Sequence, residues 1–329
     1  MRSVVFCAHD PGGYDVVYPV YQRMKSERKT EVFLFLTGPS GERVPKYRAD
    51  IDEIFECMSY QVDCGNLRLV VTGTSWNSDI ELKIIRYCKK MGIPTISILD
   101  YWSNYRSRFQ NKNEVIFPDY YFVMDKIAAD EAVRDGIAPS ILRIVGQPGL
   151  DFYVHKQVTP GYNQKLIFLS QPLSIAGQAD LLGYTEFKAA ESVLEIAGDL
   201  GYDVEIKFHS KETPEMVKMY ENRRVDGLIW ELVPNYAAVV GMSTMGLLQC
   251  ALMGVPVISY QPGLKGEDLC ITNKLRITDG AFSREDFYRR LKSLPGQKGC
   301  LLKKKDDLIW LDGKSTERCI EEIYRIGGI

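Results

Sequence analysis

The segment Ala237–Gly263, AAVVGMSTMGLLQCALMGVPVISYQPG, decides the fold class. An apolar run, Ala237–Val240, is followed by a turn of small residues, a helical segment (Leu247–Met253) and a second apolar run, Val257–Tyr260. This order of strand, turn, helix and strand is typical of a β-α-β unit in a parallel sheet. It predicts parallel α/β structure.

Gly241, Ser243, Thr244 and Gly246 occupy the turn between the first of these strands and the helix. At such a turn, backbone N–H groups and hydroxyls meet the positive end of the helix dipole, which favours a bound phosphate. Every parallel sheet also uses small residues in its turns. The pattern alone therefore leaves a phosphate site and a plain turn equally open.

The composition bounds the class of protein. With 329 residues the chain suits two domains of about 150 residues each. A net charge of −2 argues against nucleic acid as the main partner. The basic run Lys303–Lys305 is followed at once by two aspartates, which favours a solvated turn and leaves peripheral membrane association open.

The eight cysteines are scattered and form no CxxC pair, which indicates reduced core residues. The N-terminus, MRSVVFCAHDPGG, has the pattern of a strand and not of a signal peptide. No apolar stretch approaches the length of a membrane span. We expect a cytoplasmic protein, with the inner face of the membrane as an alternative place of action.

Strand and helix patterns alternate along the whole chain. In the first half, Val16–Lys25 is predicted as a helix with Pro19 in its first turn. In the second half, a strand is predicted at Gly227–Trp230 before the opening segment. The alternation predicts an α/β protein of two Rossmann-like doubly wound domains, residues 1–155 and 156–329, that face a central cleft.

His9–Gly13 has the sequence HDPGG and follows the first predicted strand. Gly12 and Gly13 would let the backbone approach a ligand. The Asp10 carboxylate could act as general base towards a hydroxyl group, and His9 is a second candidate. The same residues are also ordinary turn chemistry, and the GxGxxG dinucleotide pattern is absent.

Two further loops follow strands at the same predicted sheet edge. Gly73–Asp79 has the sequence GTSWNSD, and Leu99–Phe109 has LDYWSNYRSRF. Aromatic rings beside polar and cationic groups suit a sugar or an anion, although such rings also serve as ordinary packing. The residues predicted to line the acceptor side of the cleft are His9, Gly12, Gly13, Thr74, Ser75, Asp100, Trp102, Tyr105 and Arg106.

Glu205–Glu212, EIKFHSKE, places Lys207 and His209 at the end of a strand, where period-two alternation sends both to one face. Their cationic and donor groups suit a phosphate, although a single histidine is more often structural. None of the three histidines has a metal-ligand partner at helical or hairpin spacing. We therefore expect neither a metal nor another cofactor.

The order IFLSQPL (Ile167–Leu173), IKFHSKE and GMSTMGLLQCALMGVPVI resembles bacterial sialyltransferases and polysialyltransferases, and more loosely the capsule and lipopolysaccharide transferases that use CMP-sugars. The resemblance implies the GT-B fold. Ser210 stands where the family has proline, and Ser170 where it has glycine. UDP-sugar enzymes of this fold usually carry an acidic residue on the helix after the small-residue turn, and Gln249 and Cys250 stand there instead.

The resemblance also implies roles for single residues. His209 would meet the nucleotide phosphate and assist the leaving group, and Asp10 would be the base for the acceptor hydroxyl. The residues implied on the donor side are Ser170, Gln171, Ser243 and Thr244. Lys207 at its strand end and Gly246 in the small-residue turn are predicted on the same side from their positions in the sequence.

The sequence hypothesis is an inverting, metal-independent glycosyltransferase. It would transfer a sugar from a nucleotide-activated donor, with a CMP-sugar favoured, to a glycan, capsule or lipopolysaccharide acceptor. A nucleotide-sugar 2-epimerase or hydrolase of the same two-domain plan stays open. So does a non-catalytic sugar-nucleotide-binding protein.

Overall fold

The computed structural model describes residues 2–75, 78–112, 114–161, 163–175, 177–294 and 310–329. These residues form two compact units. The first comprises residues 2–152 and 310–329, and the second residues 153–294. The basic run Lys303–Lys305 and Trp76 of the GTSWNSD loop lie outside the described residues.

The first unit is built on a parallel sheet of six strands in the order β2-β1-β3-β4-β5-β6. The apolar side chains of β1 are buried throughout, as expected for a parallel strand covered on both faces. The strands are β1 Ser3–Ala8, β2 Glu31–Leu36, β3 Leu67–Thr72, β4 Thr95–Ile98, β5 Tyr120–Val123 and β6 Leu142–Ile144. The helices are α1 Pro11–Glu27, α2 Gly38–Arg43, α3 Ile51–Asp63, α4 Ile80–Met91, α5 Lys126–Arg134 and α6 Pro148–His155, which crosses the boundary between the units.

Helix α1 begins five residues earlier than predicted. Pro11 takes its first position, so Pro19 lies in the helix interior and not in the first turn. Proline has no N–H, which removes the helical donor for the Asp15 carbonyl. Gly149 packs against that oxygen, since a Cβ on Gly149 would lie 2.7 Å from it.

The last helix, α14 (Ser315–Gly327), belongs to the first unit. Its buried face, which includes Cys319 and Ile323, packs in one core cluster with Val16 and Val20 of α1. The Asp151 carboxylate accepts hydrogen bonds from the first backbone N–H groups of the helix. The predicted second domain, residues 156–329, therefore differs from the structure at this helix, because its apolar face is buried against the first sheet.

The second unit contains a four-stranded parallel sheet in the order β10-β9-β7-β8. The predicted β-α-β unit is confirmed, since β9 and β10 pair in parallel on either side of α11. The strands are β7 Lys165–Leu169, β8 Asp203–Lys207, β9 Ala238–Gly241 and β10 Val257–Ser259. The helices are α7 Ala179–Leu182, α8 Glu186–Asp199, α9 Pro214–Met219, α10 Ile229–Leu232, α11 Met245–Leu252, α12 Ile271–Lys274 and α13 Arg284–Ser293.

The predicted strand at Gly227–Trp230 is wrong. Gly227 has a φ of +136°, which interrupts an extended run, and Ile229–Leu232 forms one helical turn. The Trp230 ring packs edge-on to Tyr153, with ring centroids 6.2 Å apart. A short apolar run does not distinguish a strand from a buried helical turn.

Candidate functional site

The carboxyl ends of β1, β3 and β4 bring three predicted segments of the first unit together. A Cβ on Gly73 would lie 2.7 Å from the Gly13 Cα, and a Cβ on Gly12 would lie 2.0 Å from Asp100 Oδ2. The HDPGG turn therefore lies directly against the residues that follow β3 and β4. Close approach within the protein itself requires these glycines, whatever ligand the turn meets.

The two acid–base candidates, His9 and Asp10, lie at the start of α1. Asp10 is the N-cap residue, and its Oδ1 lies 4.0 Å from His9 Nε2. About a quarter of the Asp10 side chain and a fifth of the His9 side chain are exposed (26% and 20%). His9 Nδ1 lies 2.8 Å from Thr37 Oγ1, which orients the ring. Both groups are within reach of solvent, and their roles stay predictions.

Asp100, Thr74 and Arg108 form a polar network beside this turn. Arg108 Nη1 lies 2.7 Å from Asp100 Oδ1 and donates to Thr74 Oγ1 at 3.0 Å. Thr74 Oγ1 donates to Asp100 Oδ1 at 3.3 Å. The sequence predicts Asp100 and Thr74 as site residues, and it predicts Arg106 in place of Arg108. Two arginines two residues apart in a loop carry no signal that separates them.

Trp102, Tyr105 and Arg106 make contacts away from this network. Trp102 Nε1 donates to Asp125 Oδ2 at 2.7 Å, and the Tyr105 hydroxyl donates to Glu131 Oε2 at 2.6 Å. Trp102 and Tyr105 are 3% and 5% exposed. The Arg106 backbone N–H donates to Asp135. These contacts tie the loop after β4 to α5 and its C-terminal end, which favours a packing role for the two rings.

Glu81 is a buried carboxyl group that was not predicted from the sequence as a site residue. It is 5% exposed in the first turn of α4. Its Oε1 accepts hydrogen bonds from Ser75 Oγ at 2.5 Å and from the His9 backbone N–H at 3.3 Å. Burial raises the pKa of Glu81 to about 7, opposed by the hydrogen bond from Ser75 and reinforced by the Asp10 charge. Its helical spacing with Ile84, Ile85 and Cys88 on the buried face was a signal that could have found it.

A cavity of about 1340 Å³ opens in the first unit beside His9 and Ser75. This volume is ample for a sugar-sized ligand. Its lining carries charges of both signs. The basic lining residues are Arg48, Lys83, Arg108 and Lys112, and the acidic ones are Asp50, Glu53 and Asp79.

In the second unit, the ends of β7 and β9 join two of the predicted donor-side residues. Gln171 Oε1 accepts a hydrogen bond from the Ser243 backbone N–H at 2.8 Å. Ser170, next to Gln171, donates its hydroxyl hydrogen bond to Glu212. Burial raises the pKa of Glu212, against the hydrogen bond from Ser170. Glu212 was not selected from the sequence, because a glutamate beside Lys211 looks like part of a solvated turn.

Thr244 and Gly246 make contacts within the protein at the start of α11. Thr244 is the N-cap residue, and its Oγ1 accepts from the Gly246 N–H at 3.2 Å. A Cβ on Gly246 would lie 2.7 Å from Leu169 Cδ1, so a larger residue here would displace the end of that side chain. Ser243 precedes the cap and is 8% exposed. A phosphate at this helix end would meet the Ser243 side and the first backbone N–H groups; this stays a prediction.

Lys207 and His209 lie at and beyond the end of β8. Strand pairing ends at Lys207, whose Nζ donates to the Gly227 carbonyl at 2.6 Å. His209 is exposed, and its Nδ1 accepts from the Lys211 backbone N–H at 3.1 Å. Partial burial of the ring, and then the Lys211 charge, lower the pKa of His209. The imidazole is therefore neutral near pH 7 and offers Nε2–H as a donor.

The described residues contain neither a metal-ligand cluster nor a membrane-spanning helix. Within them, no group of three or more His, Cys, Asp or Glu side chains could hold a metal ion. No helix in the same ranges is long and apolar enough to cross a membrane.

The sequence matches no known family and no curated protein. Solved structures are similar over the whole chain. UDP-GlcNAc 2-epimerase from Methanocaldococcus jannaschii is 14% identical with a TM-score of 0.66, covering 98% of this chain and 100% of that one. The enzyme of the same name from Neisseria meningitidis, bound to UDP-GlcNAc, is 10% identical with a TM-score of 0.65 and the same coverage.

A third similar structure is the lipopolysaccharide outer core galactosyltransferase WaaB in its apo form. It is 12% identical with a TM-score of 0.56, and the alignment covers 98% of this chain and 100% of WaaB. The chain has the GT-B fold. This confirms the predicted fold class of two parallel α/β domains. At these identities the similarity establishes the fold alone.

Proposed function

We propose that this protein is an enzyme that acts on a nucleotide-activated sugar, by 2-epimerisation or hydrolysis and without an acceptor. The observation that carries the proposal is the extent of the match to the two epimerase structures. Each alignment covers 98% of this chain and 100% of the epimerase. The TM-scores are 0.66 and 0.65 for the two epimerases and 0.56 for WaaB. The proposal places the epimerase or hydrolase alternative above the transferase.

The first unit supplies groups suited to moving protons. Epimerisation at a carbon requires a proton to leave and return, and a general acid or base works best with a pKa near the operating pH. Asp10 and His9 are within reach of solvent, and Glu81 beneath them has a pKa of about 7. Asp100 lies against the same turn. In this proposal Asp10 is the group that meets the substrate.

The second unit supplies groups suited to a diphosphate. Ser243, the N-terminal end of α11 and the Nε2–H of His209 are all donors, and donors stabilise charge on a departing phosphate. Two nucleotides are candidates for the substrate. The sequence hypothesis favours a CMP-sugar, and the Neisseria structure is bound to UDP-GlcNAc. We therefore treat the base of the nucleotide as the first variable of the test.

The second candidate function is the glycosyltransferase of the sequence hypothesis. The cavity of about 1340 Å³ beside His9 favours it, because transfer needs room for a glycan or glycolipid acceptor. Asp10 would then act on the acceptor hydroxyl.

The test is incubation of the protein in D₂O with UDP-GlcNAc or a CMP-sialic acid and no acceptor, followed by ¹H and ³¹P NMR. The proposal predicts an epimer of UDP-GlcNAc that carries deuterium at C2, or free nucleotide and sugar from either donor. A donor that stays intact until a glycan acceptor is added would support the transferase. Binding without turnover under every condition would indicate the non-catalytic protein.

The expectation that no metal or other cofactor is needed is tested in the same NMR assay. Activity is expected to persist in excess EDTA, since the proposed phosphate contacts are protein donors. Loss of activity that Mn²⁺ or Mg²⁺ restores would contradict this expectation.

A further inference from the structure

We propose that Glu81 is a positioning residue that holds a proton beneath the His9–Asp10 turn and thereby controls where that turn lies. The proposal rests on the proposed function in one respect, namely that the turn belongs to the acid–base site. The contacts themselves are independent of any substrate.

Glu81 links two strand ends. Its Oε1 accepts from Ser75, which follows β3, and from the backbone N–H of His9, which follows β1. The turn is also held by the His9 carbonyl, which accepts from the Ser40 N–H at 2.9 Å, and by the contact of His9 Nδ1 with Thr37. Among these partners Glu81 is the one whose charge can change. Its ionisation therefore alters the anchor that joins the turn to α4.

The second carboxyl oxygen, Oε2, explains why Glu81 keeps a proton. It is buried and has no hydrogen-bond partner among the described residues. An ionised carboxylate spreads its charge over both oxygens and needs donors at both. Here only Oε1 has them, so the neutral acid is favoured. This agrees with a pKa near 7, which makes both forms accessible at neutral pH.

The charged neighbours determine what ionisation does. Asp10 of the turn is the nearby carboxylate that opposes a second negative charge. Lys83 does not offset it fully, because its ammonium lies 2.9 Å from Asp79 at the exposed start of α4. The other titratable or charged groups on the packed elements are His9 of the turn, Cys7 of β1, and the Asp100–Arg108 pair beyond Thr74.

Two opposing effects follow from ionisation. The hydrogen bonds from Ser75 and the His9 N–H strengthen when the acceptor carries charge. At the same time Asp10 is repelled. The neutral and ionised forms of Glu81 therefore favour different placements of His9 relative to Asp10.

The experiment uses the full chain labelled with ¹⁵N-histidine, which gives three backbone amide signals because the sequence contains three histidines. The His9 amide donates directly to Glu81, so its proton shift reports the charge on that carboxyl. We expect an inflection near pH 7 in the wild type and its loss in Glu81→Gln, which keeps the acceptor oxygen and cannot ionise. Asp79→Asn, which removes an exposed charge from the same helix start, is the matched control and should retain the inflection.

A second readout connects this proton to the reaction. Glu81→Ala should lower kcat/KM on the sugar nucleotide by on the order of 10- to 100-fold through misplacement of the turn. Glu81→Gln should restore most of the rate and flatten the pH profile around pH 7. Circular dichroism of both variants checks that they fold.

Two results would overturn the proposal. One is a His9 amide shift that is flat across pH 7 in the wild type, and the other is an inflection that survives in Glu81→Gln. If the inflection behaves as expected but no sugar nucleotide turns over, the proposed function fails and the proton-holding role of Glu81 stands.

Discussion

Arg108 Nη1 lies 2.7 Å from Asp100 Oδ1, and the two side chains are 6% and 18% exposed. Asp100 in turn lies against Gly12, where any Cβ would meet its carboxylate. The ion pair therefore fixes the carboxylate that faces the HDPGG turn. A largely buried pair of this kind contributes little net stability when intact, yet removal of one partner is costly.

Arg108→Ala leaves the Asp100 carboxylate largely buried without its counter-charge. The cost of such a change is roughly 3–5 kcal/mol, so the first-unit melting transition should fall by about 6 °C or more. Differential scanning calorimetry measures it. Arg108→Lys keeps the charge and should fall by less. An Arg108→Ala protein that melts within about 2 °C of the wild type would contradict a structural role for the pair.

Glu81 makes stability depend on pH with a definite sign. The pKa of a free glutamate is 4.5 and that of Glu81 in the folded protein is about 7. Between these two pH values the folded state therefore binds the proton more tightly than the unfolded state does. Its contribution is fully present below the lower value and is lost as the pH rises through the higher one, by roughly 3 kcal/mol. Glu81→Gln cannot ionise and should therefore gain stability relative to the wild type between about pH 5 and about pH 8. Melting curves at both pH values measure this, and a constant difference would refute it.

The contact of Gly73 with Gly13 predicts a sharp contrast between two glycine substitutions. Gly73→Ala places a Cβ 2.7 Å from backbone that cannot move aside, and overpacking of this kind costs about 1–3 kcal/mol. Gly198→Ala lies in α8 with open space around the new Cβ and should stabilise by about 0.5–1 kcal/mol. The melting temperature is expected to fall for Gly73→Ala and to rise for Gly198→Ala. Equal shifts for the two variants would show that the contact between Gly73 and Gly13 is unimportant.

Trp102 offers a test between a sugar-binding and a packing role. Trp102→Phe removes the donor to Asp125 and should destabilise by about 1–3 kcal/mol. Affinity for UDP or CMP, measured by calorimetry on the folded variant, should stay unchanged because the ring is 3% exposed. A large loss of sugar-nucleotide affinity with normal stability would support the binding role predicted from the sequence.

His209 is predicted to stabilise the departing phosphate. His209→Ala should reduce kcat on the active sugar nucleotide by roughly 10²-fold or more, as for removal of one transition-state donor. His155→Ala is the matched control and should leave kcat unchanged. Because the pKa of His209 is lowered, the neutral donor should persist as the pH rises through 6.5, so this step should not lose activity there. A wild-type rate for His209→Ala would remove the assignment.

Much of the fold follows from local pattern. The segment around β9, α11 and β10 was predicted because two apolar runs, a turn of small residues and a helical segment lie within 27 residues. Elements that are neighbours in sequence are also neighbours in a β-α-β unit. The His9–Gly13, Thr74 and Asp100 segments were predicted to share one sheet edge for a similar reason, since parallel strands end at the same edge. The glycine positions show that these segments also contact one another.

Tertiary structure decided the rest, because burial and pairing depend on residues far apart in the chain. A glutamate in the first turn of a helix normally faces solvent near the helix dipole, yet packing of α4 buries Glu81 under a turn 72 residues earlier. Trp102 and Tyr105 look like ligand contacts until Asp125 and Glu131 are found to accept their hydrogen bonds. Helix α14 belongs to the first unit because its apolar face fits the α1 surface some 300 residues away. The sequence alone determined which groups stand at the strand ends. Only the packing determined which of these groups are exposed to a ligand and which form hydrogen bonds within the protein.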